Sequence, residues 1–146
     1  MKRIKRLVFI FVILLSVVLL SACKKDYSSI TYKRFTAKMS DELGYSVTDN
    51  SLSYEGIYER YISASKEGVI FIFMEFEDKD SAESYMKGYE KQKGYSYNKK
   101  DDYTIVKNSK GGYVKIIQID NIIISGSTEK SNYRTDVNKA FKSLGY

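Results

Sequence analysis

Nothing restricts the fate of this chain more than its opening segment. Lys2, Arg3, Lys5 and Arg6 place four cations in the first six positions, and the 14 residues from Leu7 to Leu20 then carry no charge and one hydroxyl, at Ser16. A positive stretch followed by an apolar one is the layout of a secretory signal. The apolar run is short for a permanent span, which takes about 20 residues at 1.5 Å rise to cross a hydrocarbon layer ~30 Å thick. The segment is therefore set apart from whatever the rest of the chain folds into.

Directly after it stand Leu20-Ser21-Ala22-Cys23, a branched apolar residue, two small residues and a cysteine. Over residues 1 to 23 the chain resembles a bacterial prolipoprotein, and these four residues match the family's lipobox. The resemblance implies that prolipoprotein diacylglyceryl transferase joins a diacylglycerol to the Cys23 sulfur through a thioether. It also implies that lipoprotein signal peptidase cuts between Ala22 and Cys23, with the new amino group open to acylation by palmitate or a similar chain. The expected address is then the extracytoplasmic face of the cell membrane. The competing reading is a membrane-anchoring helix whose cysteine is incidental. Cys23 is the only cysteine, so neither a disulfide nor a thiolate metal site explains it. Two acyl chains suffice physically, since each buried methylene contributes ~0.8 kcal/mol and a single myristoyl chain is marginal.

Removing residues 1 to 22 from the 146 leaves 124, enough for one core. Four of the 24 basic residues leave with the signal, so 20 face 18 acidic ones and the balance falls to about +2. Export and near-neutrality argue against a nucleic-acid partner, which needs a basic face. Lys24, Lys25, Lys33 and Arg34 stand near the lipid and suit anionic headgroups, at ~1 kcal/mol each; a solvated tether is the plainer reading.

Residues 23 to 30 read as that tether and 31 to 146 as the globular domain. Thr31 suits an N-cap, and Tyr32, Phe35, Met39 and Leu43 share a helical face that Gly44 stops. Tyr45 to Thr48 and a turn at Asp49 to Ser51 precede an alternating strand from Tyr54 to Ala64. Lys66-Glu67-Gly68 connects it to Val69 to Phe76, a strand apolar on nearly both sides and expected to be covered on both. Asp78 caps a second helix, with Ala82, Tyr85, Met86 and Tyr89 inward and Gly94 at its end. Strands at Tyr103 to Lys107, Tyr113 to Ile119 and Ile122 to Ser127 follow, and Ser131 caps a last helix carrying Tyr133, Val137, Ala140, Phe141 and Leu144 on one face. The expected fold is one α+β domain of order α-β-β-β-α-β-β-β-α, a mainly antiparallel sheet with its helices on one face. The repeated order, and the Leu-Gly-Tyr that ends the first and last helices at residues 43–45 and 144–146, hint at an internal duplication.

For chemistry the zeros speak first: the chain has no histidine, tryptophan or proline. Ser or Cys nucleophiles normally use a histidine base. Ser-Lys pairs remain, and S-x-x-K occurs at Ser63 to Lys66, Ser84 to Lys87, Ser96 to Lys99 and Ser127 to Lys130, without the companion S-D-N and K-T-G motifs. Glu75, Glu77, Asp78, Asp80 and Glu83 suit a calcium site on paper, but Asp78 and Asp80 also sit where a helix start favours acid. No metal or cofactor is expected. All 14 tyrosines lie in the mature part. Tyr95, Tyr97 and Tyr103, read as lying around the middle loop, are the candidate ligand contacts, against the alternative that tyrosine fills half-buried strand positions. The expected role is a non-catalytic binding module for an envelope protein or glycan. The alternatives are an enzyme or enzyme accessory acting on wall polymer, and a regulator of a neighbouring transporter or sensor.

Overall fold

A computed structural model describes residues 30–92, 94–98, 103–109 and 111–146; the signal segment, the Leu20 to Cys23 motif and the expected tether up to residue 29 lie outside them, while Ile30, read as the tether's last residue, is instead fully buried in the core because its apolar side chain packs there. The element order is α1 (Tyr32–Ala37, continued by a wider turn, Lys38–Glu42), β1 (Ser46–Asp49), a 3-10 turn (Ser51–Tyr54), β2 (Arg60–Lys66), β3 (Val69–Glu75), α2 (Lys79–Glu90), β4 (Tyr95–Asn98), β5 (Tyr103–Ser109), β6 (Gly112–Ile119), β7 (Ile122–Thr128), a second 3-10 turn (Ser131–Tyr133) and α3 (Arg134–Leu144). The seven strands form one sheet in the order β1-β2-β3-β7-β6-β5-β4, and every neighbouring pair is antiparallel. The α+β class and the single antiparallel sheet stand as expected.

Local chemistry sets most boundaries. Thr31 Oγ1 accepts from the Arg34 amide, and Asp78 Oδ1 accepts from the Ser81 amide at 2.7 Å. Each side chain thus satisfies one of the donors a helix start leaves open. Gly44 and Gly145 take φ of 69° and 104°, the left-handed stop that lets the next amide turn back onto the helix. Glu67 and Gly68, with φ of 46° and 82°, form the tight link between β2 and β3.

Three expectations need correction. The stretch from Tyr54 is not a strand until Arg60, because Asp49 Oδ1 takes both the Ser51 amide and hydroxyl and Ser51 Oγ takes the Tyr61 amide. The backbone is thereby folded into a turn, and Tyr54, Tyr58 and Tyr61 stack on one another instead of alternating. Tyr95 to Asn98 form an edge strand where a loop was expected, pairing with β5 through Tyr95 opposite Lys107. The last helix begins at Arg134 without a side-chain cap, Ser131 opening the preceding 3-10 turn.

The helices also divide between the two faces. Phe35, Met39, Val137, Ala140, Phe141 and Leu144, from α1 and α3, pack on Phe71, Phe73, Ile117 and Ile124 in one apolar layer. Ala82 and Met86 from α2 pack on Met74, Ile116 and Ile123 in a second layer. Alternation along β3 and β7 supplies both, since successive residues point to opposite faces. Each half of the sheet follows a helix, as the repeat suggested. The second half, however, has four strands and its helix lies on the other side.

The first layer is tight. Phe71 and Phe141 have ring centroids 5.2 Å apart, and they close over Gly126, where an added Cβ would lie 2.6 to 2.8 Å from their ring carbons. The second layer is incomplete. Twelve-residue α2 covers the Met74 end of β3, while Ile70 at the other end is 48% exposed. The expectation that β3 is covered on both sides holds for only part of its length.

Candidate functional site

The uncovered part of the α2-side face holds the candidate site. Ile70 pairs across to Ser127 of β7, Ser127 to Val114 of β6, and Val114 to Lys107 of β5, which faces Tyr95. These five side chains thus form one cross-strand row on a single face of the sheet. A recess of about 500 Å³ opens along it, lined by Ile70, Val114, Ser127, Thr128, Lys130 and the Gly68 backbone. A second recess of about 290 Å³ continues from Val114 to Lys107 and Tyr95. Thr128, 5% exposed, is held by the Lys130 amide on its hydroxyl at 3.2 Å.

A ladder of rings borders this face. Centroids follow one another at 4.2 Å from Tyr54 to Tyr61, 5.3 Å to Tyr58, 5.1 Å to Phe76, 5.5 Å to Tyr85, 5.6 Å to Tyr89 and 5.4 Å to Tyr95. At its end the Lys107 ammonium stands 4.9 Å from the Tyr95 centroid, a cation over a ring face. Burial raises the phenol pKa of Tyr85 far above its ordinary value, helped by the Tyr89 hydroxyl 3.3 Å away. Tyr58, Tyr61 and Tyr95 move the same way, desolvation leading in each. These four tyrosines are therefore packing groups, each ring in contact with at least one neighbouring ring.

Of the three candidate tyrosines, Tyr95 reaches the recess. Tyr97 and Tyr103 are placed only by backbone register, opposite Ile105 and Gln118, and their side chains lie outside the described residues. Sequence reasoning missed Ile70, Val114 and Lys107, and weighed Ser127 only as a nucleophile paired with Lys130. The available signal was a β3 run apolar on both faces beside an α2 too short to cover it.

The motifs weighed for catalysis part company. Ser63 Oγ receives Asn50 Nδ2 at 2.9 Å, while Lys66 Nζ donates to the Leu43 carbonyl at 2.9 Å. Ser84 and Lys87 are exposed on α2, and Lys99 lies outside the described residues. Ser127 and Lys130 both line the recess, with the Lys130 ammonium 6.0 Å from the Tyr133 centroid. In the acidic stretch, Asp78 serves as a helix cap, and the Ser81 hydrogen bonds hold its carboxyl below the usual range. Among the described residues no three acidic or sulfur side chains converge as a metal cage.

No protein-family model matches the chain, and no curated protein matches it. Among solved structures, the extracellular domain of PknH from Mycobacterium tuberculosis aligns over 82% of this chain and 97% of its own length, at 10% identity and a TM-score of 0.36.

Proposed function

We propose that this chain is a lipoprotein of the extracytoplasmic membrane face, held by acylated Cys23, whose domain is a non-catalytic module that binds a protein partner through the open half of its sheet. The observation that carries the binding surface is Ile70, an isoleucine near the end of an inner strand of the sheet that is 48% exposed beside a recess of about 500 Å³. Apolar residues of an inner strand are ordinarily covered, and a concavity with Ile70 and Val114 in it, rimmed by Ser, Thr, Glu and Lys, suits a partner's side chains. Aliphatic lining favours a protein segment over a sugar ring, which stacks best on free aromatic faces. Here the ladder tyrosines pack against neighbouring rings.

A photoreactive benzoylphenylalanine at position 70 of the full chain, irradiated in intact cells, is expected to give a discrete protein adduct that the same probe at Lys142, on the other face, does not. Equal labelling from both positions, or none from position 70, contradicts the surface. The hydrolytic alternative is tested in the same recess: if Ser127→Ala abolished release of wall fragments by the purified protein, the module would be an enzyme.

A further inference from the structure

The turn between β1 and β2 carries the two most exposed large apolar side chains among the described residues, Leu52 at 91% and Ile57 at 64%, with Tyr54 beside them at 38%. The turn is held in place. The Ser53 amide donates to the Asn50 carbonyl at 2.9 Å and the Ile57 amide to the Tyr54 carbonyl at 3.0 Å, while Tyr54 stacks on Tyr61. Single exposed apolar side chains are ordinary, but Leu52, Ile57 and Tyr54 together on one fixed turn form the kind of apolar feature that marks an interaction or membrane-contact surface.

Where the chain enters the domain indicates what that is. Tyr32, at the start of α1, lies under the Arg60 guanidinium at 4.0 Å, and Arg60 pairs with Asp49 at 4.0 Å across the base of the same turn. The chain therefore enters at the end of the sheet that bears Leu52 and Ile57. From Cys23 to Ile30 the backbone spans seven steps, at most about 25 Å when extended. A lipid on Cys23 holds this end within that distance of the bilayer, so contact is intramolecular and its effective concentration high. Lys33 and Arg34, exposed at the same end, and Lys24 and Lys25 in the tether suit anionic headgroups. Tyr54 has the amphipathic form that settles at the water interface.

We propose that the 51–57 turn is a membrane-seated foot, with Leu52 and Ile57 inserted among the headgroups of the leaflet that carries the Cys23 lipid. The inference rests on the lipid-anchor reading. It also orients the domain: Ile70 lies toward the opposite end of the strands, roughly 20 Å away at 3.3 Å per residue, so the recess faces outward.

The chain contains no tryptophan, so Leu52→Trp and Ile70→Trp each create a single fluorescent reporter. Each full chain is expressed in a bacterial host, recovered from membranes, weighed by mass spectrometry and reconstituted into phosphatidylglycerol vesicles with and without brominated acyl chains. The expected result is blue-shifted emission that brominated lipid quenches at position 52, and unquenched emission at position 70. No quenching at 52, quenching equal to that at 70, or a blue shift without lipid quenching overturns the foot, the last by revealing a protein contact. A mass lacking the diacylglycerol sinks the anchor reading separately. Coupling the Cys23 thiol to a maleimide lipid then restores a tether, and the same comparison decides the foot.

Discussion

Gly126 gives the sharpest test of the packed layer. Substituting alanine puts a methyl 2.6 and 2.7 Å from Phe71 ring carbons and 2.8 Å from one of Phe141, distances that real Cβ contacts do not show. The rings have nowhere to go: both are fully buried, and Tyr45 meets Phe71 edge-on at 5.8 Å. Gly126 also pairs with Phe71 on one side and Lys115 on the other, so β7 cannot slide away without breaking two ladders. Overpacking costs about 1 to 3 kcal/mol, and two displaced rings place this case at the upper end. Alanine's better strand propensity returns ~0.5 to 1 kcal/mol. The net loss is about 2 kcal/mol, a fall in Tm of roughly 8 °C for a domain of this size. Urea and thermal unfolding of the mature chain, followed by circular dichroism, measure it. Phe71→Leu should recover part of the loss when combined with Gly126→Ala, since removing ring atoms makes room for the methyl and the two effects become non-additive. Gly88 is the matched control, because a Cβ there meets nothing within 4 Å and alanine in a helix gains up to ~1 kcal/mol. If Gly126→Ala melted with the parent, the Phe71 and Phe141 arrangement would be wrong.

Phe71→Ala or Phe73→Ala, each removing a fully buried ring, should cost ~3 to 5 kcal/mol and unfold much of the protein at 37 °C, as read from loss of near-ultraviolet dichroism. Ile70→Thr keeps the branched strand residue and should move stability by no more than about 0.5 kcal/mol. It should nonetheless weaken partner capture about fivefold, the worth of ~1 kcal/mol of lost apolar contact; unchanged capture in a quantitative pull-down would remove Ile70 from the interface. Tyr45, Tyr58, Tyr61, Tyr85 and Tyr95 all have raised pKa values, burial leading in each. The unfolded chain therefore loses protons from pH ~10 upward before the folded one does, and stability should be intact below that value and fall above it. Urea midpoints recorded from pH 8 to 11.5 should drop only beyond ~10, and a flat profile would contradict the buried ladder.

How far the sequence reached depended on whether a signal was local. Thr31, Asp78 and Gly44 announce their caps within a turn of themselves, and all three are used as read. The Lys66 to Gly68 link and the Phe71, Phe73 core strand were legible for the same reason. What escaped depended on distant partners. Tyr95 to Asn98, between Gly94 and the charged run at 99–102, alternate for only four residues, too short a pattern to mark a strand until β5 lies beside them. Tyr54, Tyr58 and Tyr61 imitate strand bulk, and only the Asp49 to Ser51 to Tyr61 hydrogen bonds reveal the turn. No periodicity states which face α2 will choose, and that choice decides that Met74 is buried while Ile70 is bare. Gly126 looks like any strand glycine until two rings arrive over it. The site followed suit: Tyr95 was found for its chemistry but assigned to a loop, and the aliphatic row around Ile70 was hidden in a run read as core.

The central claim is that a fatty thioether on Cys23 fixes this domain to the outer side of a membrane, and intact mass spectrometry of the chain purified from cell membranes tests it most directly. The account predicts a chain beginning at Cys23 and carrying the added mass of a diacylglyceryl group, and Cys23→Ser should abolish both the cut and the addition. Recovery of the chain with Met1 still attached, or with a bare Cys23 sulfhydryl, would contradict it.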